Sequence, residues 1–104
     1  MKLTLFAFIL MLLSSLGFAA EHQKIDTLGM SSKGQFVALE EYGYKADVHC
    51  YYSRVKIINV WKNEYVGTPV EVVLPAHRPV DLEKARQKVK LLAQDQLKQF
   101  NING

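Results

Sequence analysis

The sequence predicts a small α+β domain, an antiparallel sheet of about four strands with one C-terminal amphipathic helix packed on it. Three observations carry that expectation. Apolar stretches between Ile25 and Leu74 are separated by turn-forming residues, which is the pattern of hairpin-linked strands. From Asp81 to Phe100 the apolar residues recur instead at three- and four-residue steps, the period of one helical face. Residues 21–104 are enough for one domain and too few for two.

The first twenty residues read as a secretory signal peptide. Lys2 is the only charge before Glu21, an apolar run spans Leu5 to Leu13, and Ser14, Ser15 and Gly17 break it before Ala19 and Ala20. A basic start, a short apolar centre and a small-residue exit are what export and cleavage require. Cleavage after Ala19 places Gly17 and Ala19 at the small positions. Cleavage after Ala20 places bulky Phe18 at the outer one, so the first is preferred. The competing reading is an uncleaved anchor, but the run is shorter than the roughly 20 residues of a spanning helix. The expected product is exported, periplasmic or secreted, with no stable membrane anchor after cleavage.

The remaining domain is small. A chain of this length hides only about 60% of its extended surface on folding, so disulfides, metal or a partner would help it. Loss of Lys2 lowers the formal charge of +3 by one, and the basic residues mostly lie beside acidic ones. No strong positive field points to nucleic acid.

Ile25 to Met30 is expected as a short strand. Ser31-Ser32-Lys33-Gly34 is a hairpin turn, with Gly34 free to take the left-handed conformation. Phe36 to Tyr42 is the central strand, with Phe36, Ala38, Glu40 and Tyr42 on one face and Val37, Leu39 and Glu41 on the other. Its first half is apolar on both faces and its second half is expected to emerge into solvent. Gly43 to Ser53 reads as a Tyr-rich connection. Arg54 to Val60 is the next strand, Trp61 to Glu64 a hairpin loop, and Tyr65 to Leu74 a third long strand with Val70, Val72 and Leu74 on one face. Pro69 cannot donate to a ladder, which places it at an edge or a bulge. Leu82, Ala85, Val89, Leu92, Ala93, Leu97 and Phe100 form the apolar face of the helix, Gln96 lies on its polar side, and Asp81 is positioned to cap its N-terminus.

Asp26 to Val60 has the pattern of a propeller-blade hairpin. MSSKGQFVALEEYGY, then SRVKIINVWKNEYVGTPVEVVL, then the Ala- and Lys-containing helix resembles the N-terminal half of an uncharacterised family of predicted secreted bacterial proteins, a domain of unknown function. The resemblance covers nearly all of residues 21–104. It implies export and an unknown role. The family is typically longer, with further strands after the helix, so this domain corresponds either to a truncated relative or to the N-terminal part of a longer family domain. It carries over no catalytic residue.

Candidate chemistry is sparse. Adjacent Glu40 and Glu41 point to opposite faces of a strand, so they cannot flank one glycosidic bond. Cross-strand pairing with Arg54 or Lys56 is the expected use. His49-Cys50 is the one His-Cys neighbourhood, short of the three or four converging ligands a metal needs. Cys50 is the single cysteine, so it stays free or pairs with a second chain as a disulfide-linked dimer. It is expected to be within reach of solvent. Tyr42, Tyr44, Tyr51 and Tyr52 flank one segment and suit a contact surface, because aromatic rings combine apolar area with a polar tip. The leading functional expectation is an exported non-catalytic binding or interaction module for a protein or glycan partner, without a cofactor. The alternative is a small exported hydrolase or metal-binding protein using His49, Cys50 and a nearby Glu.

Overall fold

The computed structural model describes residues 23–103, so the leader expected over residues 1–20 lies outside the described residues. Five strands form one curled antiparallel sheet in the order β4-β3-β2-β1-β5, a half-barrel with a single helix on one face. The strands are β1 (Gln23–Ser31), β2 (Phe36–Lys45), β3 (Cys50–Asn59), β4 (Glu64–Pro75) and β5 (Ile102–Asn103), and α1 (Val80–Gln99) separates the last two.

The hairpin turns fall close to their expected places. Gly34 adopts φ +73° and donates its amide to the Ser31 carbonyl at 2.8 Å. Asn63, at φ +54°, turns β3 into β4 with the left-handed tolerance that favours Asn there. Pro69 sits on the edge strand, within a register shift that opposes Val55 to Val70 but Ile57 to Val66. Both explanations for that proline hold together.

The inner face, under the helix, is built by strict alternation. Ser53, Val55, Ile57 and Asn59 of β3 are buried, as is Val72 of β4, with Val70 and Leu74 half-buried beside it. α1 lies over β3 and β4, and its Ala85, Val89 and Ala93 are fully buried against Val55 and Val72. A second apolar cluster joins Ala38, Ile57 and Ile102, with the rings of Phe36 and Phe100 tilted against each other at 4.9 Å between centroids.

Several expectations are corrected. Gly43 to Ser53 is not a connection: both flanks are strand, paired Gly43 to Tyr52, Tyr44 to Tyr51 and Lys45 to Cys50, leaving only residues 46–49 as the turn. The second half of β2 does not emerge into solvent, because α1 covers it: Glu40 is 0% exposed and Tyr42 is buried. Leu92 is 57% exposed and lies off the packed face. The contact stripe follows four-residue steps through Asp81, Ala85, Val89 and Ala93, which drift around the helix, so that position 92 stands about 60° from Val89 and about 100° from Ala93. Gln96 is half-buried, its amide donating to the Thr68 carbonyl at 3.1 Å where β4 bulges toward the helix. Asp81 is inside the first turn, and its carboxylate reaches backward, accepting from the amides of Arg78 at 2.9 Å and His77 at 3.1 Å. Those backbone donors hold its pKa below the usual carboxylate range, against the opposing effect of burial. After the helix, Asn101 at φ +56° turns the chain so that Ile102 and Asn103 pair with Ser31 and Met30, an unanticipated fifth strand. Among the described residues no helix is long and apolar enough to cross a membrane.

Candidate functional site: an aromatic cleft beside a buried ion cluster

The inner face of β2 carries two neighbouring features. The first is an ion cluster centred on the buried Glu40. Glu40 accepts from the Ser53 hydroxyl at 2.6 Å and from Arg86 Nε at 2.9 Å and Nη2 at 3.1 Å, with Lys90 Nζ at 3.8 Å. Arg86 also donates to Asp26 at 3.0 Å and lies 3.8 Å over the Tyr42 ring, whose hydroxyl donates to Asp26 at 3.1 Å. The hydrogen bond to Glu40 raises the Arg86 pKa, more than burial lowers it. Burial, then the bond to Asp26, raises that of Tyr42. Every charge here has an opposite partner and Glu40 has no solvent contact, so the cluster fastens helix to sheet rather than presenting a reactive group.

The second feature lies next to it, where β2 and β3 run on toward their turn at the N-terminal end of α1. Lys24, Tyr42, Gly43, Tyr44, Tyr51 and Leu82 line an open cleft of about 150 Å³. Tyr44 and Tyr51 are directly opposed across β2 and β3, and their rings meet edge to face at 5.6 Å. The Tyr44 hydroxyl and His49 Nδ1 share a hydrogen bond at 2.9 Å, which fixes the ring at the rim. The cleft therefore offers two oriented aromatic rings, an aliphatic wall at Leu82 and one ammonium at Lys24.

The structure divides the four tyrosines expected as one surface. Tyr44 and Tyr51 share the cleft, while Tyr42 is buried between it and Arg86. Tyr52 points to the opposite, helix-free face, because consecutive strand residues alternate. There it is buried beneath Lys45 and Arg54, which lie 5.2 and 5.6 Å from its ring, and burial raises its pKa. Glu41 is on that face too, 2.7 Å from Lys56 and within 3.9 Å of Arg54, the cross-strand pairing expected of it. Cys50 is half-exposed, and its thiol donates to the Val48 carbonyl at 3.2 Å. His49 and Cys50 thus turn to different partners, and among the described residues neither hydrogen-bonds to a carboxylate. No group of three or more His, Cys, Asp or Glu side chains is placed to hold a metal among the described residues.

Sequence reasoning missed Arg86 and Leu82 as neighbours of the tyrosines, because the helix reaches β2 only in three dimensions. Lys24 carried no signal beyond its charge. Comparison with protein-family models, curated proteins and solved structures finds no match to this chain.

Proposed function

We propose that the protein is an exported, non-catalytic binding module that uses the Tyr44–Tyr51 cleft to hold a ring-bearing or apolar group of a protein or glycan partner. One observation supports this reading above others. Two tyrosines that could have packed inward stand paired and partly exposed in an apolar-lined cleft, while Glu40 and Arg86 of the neighbouring ion cluster are already partnered. Tyrosine offers large contact area at small entropic cost, and its face suits a sugar ring or an aliphatic side chain. Export rests on the leader read in residues 1–20.

The test is binding to a glycan array and to the proteins of the exported compartment, with the wild type and with Tyr44→Ser/Tyr51→Ser. A ligand held by the wild type and lost by the double variant, at unchanged circular dichroism, supports the cleft. Equal binding by both refutes it. N-terminal sequencing of the exported protein should begin at Ala20 or Glu21. Retention of Met1 on a membrane-bound form overturns the export reading.

A further inference from the structure

The sheet has two edges, and they are treated differently. The β4 edge carries Pro69 and a register shift, both of which obstruct the addition of another strand. The β1 edge is covered by β5 only at Met30 and Ser31. Residues Gln23 to Thr27 pair with β2 on one side, lack proline, and have no strand on the other side among the described residues. Lys24, Ile25, Asp26 and Thr27 are exposed along this length, Ile25 at 59%. An open edge of this kind presents alternate amides and carbonyls to an incoming strand.

We infer that this edge pairs with the same edge of a second copy, antiparallel about a twofold axis through Ile25. The charges select that register. An axis at Ile25 sets Lys24 opposite the partner's Asp26 and Asp26 opposite the partner's Lys24, with the two Ile25 side chains facing each other on the helix-free side. An axis at Lys24 opposes two lysines, and one at Asp26 opposes two aspartates; directly opposed like charges destabilise a pair. An axis at Thr27 sets the partner's Lys24 opposite Met30, a place already taken by Asn103 of β5. The interface is isologous, so it closes at two copies and continues the five-stranded sheet across the axis. It shares Lys24 with the cleft, whereas Ile25 and Thr27 do not line it, so the cysteine variants at those two positions test the edge alone.

Directly opposed residues in an antiparallel pair have Cα atoms about 4.5–5.5 Å apart, inside the reach of a disulfide. In a Cys50→Ser background, Ile25→Cys should therefore give a disulfide-linked dimer under air. Thr27→Cys should not, because two Thr27 Cα atoms would be about 14 Å apart in this register. Sedimentation of Cys50→Ser, in which the lone thiol cannot link two chains, should show a mass rising to twice that of the chain across a concentration series. Lys24→Asp, which sets two acids against each other at both ends of the pair, should hold it at the monomer mass. A monomer at every concentration overturns the inference, as does equal cross-linking of both cysteine variants or a dimer that persists in Lys24→Asp. A monomer whose β1 takes up a foreign peptide strand overturns it equally.

Discussion

Arg86→Met is the perturbation that most directly tests how the helix is held. The Glu40 carboxylate is 0% exposed, and Arg86 supplies two of the three close donors around it, the third being Ser53. Methionine fills much of the same volume and donates nothing. Removing one partner of a buried pair costs about 3–5 kcal/mol, because the remaining charge is left in a low dielectric, and Lys90 at 3.8 Å offsets only part of that cost. The lost contact with the Tyr42 ring adds about 0.5–2 kcal/mol. A domain of this size has about 4–12 kcal/mol in total, so the variant should lie near the limit of folding. Glu40→Gln should cost less, since Arg86 keeps Asp26 and is itself partly exposed. The double variant Glu40→Gln/Arg86→Met should recover at least half of the Arg86→Met loss, because the neutral amide can still accept from Ser53 and no buried charge remains. Urea unfolding followed by circular dichroism reads these differences as midpoint shifts at constant slope. An Arg86→Met loss below about 1 kcal/mol, or a double variant no more stable than Arg86→Met, would refute the stranded-charge account.

Leu92→Asp should change stability by about 0.5 kcal/mol or less, as for most exposed substitutions, whereas Val89→Asp should unfold the domain by burying a carboxylate against Val55 and Val72. Equal melting temperatures for the two would show that α1 packs on a different face. Asp81 has a folded pKa below its unfolded value, so its contribution is present above the ordinary aspartate pKa of about 3.9 and is lost as pH falls through the lower folded value. Asp81→Ala should therefore melt lower than wild type at neutral pH, with the gap closing in strong acid; a gap independent of pH would remove the carboxylate from the explanation. A thiol reagent should label Cys50 in the native protein, and labelling only after denaturation would place the thiol in the core.

The elements that were legible in the sequence are those whose energetics are local or periodic. Val55 and Ile57, Val70, Val72 and Leu74, and the helix itself announce their faces by spacing alone. Glu40 misled because a carboxylate in a strand normally marks solvent, and its partner Arg86 is 46 residues away. No local pattern records that pairing. Tyr44, Tyr51 and Tyr52 give no strand signal although tyrosine favours strands, because the Gly, Asp and His around them lack apolar alternation. The broad apolar arc drawn through Leu92 was too wide. The helix rests on a narrow ridge of Ala85, Val89 and Ala93, small enough to bring its backbone close to the sheet. β5 is two residues long, and neither residue carries a pattern that could be read.

The cleft and the ion cluster follow from one geometric circumstance. α1 begins at Val80, after a loop that Asp81 ties down through two backbone amides, so the position of its first turn is fixed. β2 and β3 continue past that turn to Lys45 and Cys50, farther than the helix can cover. Where the helix does cover them, the polar residues at Glu40 and Ser53 must be paired, and Arg86, one turn beyond Leu82, reaches them. Where it stops, at Leu82, the next inward-facing residues along the strands are Tyr44 and Tyr51, which lose their roof and become the walls of an opening. Shifting the start of α1 by one turn toward the sheet end would close the cleft. The Asp81 anchor therefore holds the opening in place as well as stabilising the fold, so on the proposed binding reading Asp81→Ala should weaken ligand binding at temperatures where the protein is still folded. Unchanged binding by folded Asp81→Ala would separate the cleft from the helix start and leave Tyr44 and Tyr51 as the sole basis of the site.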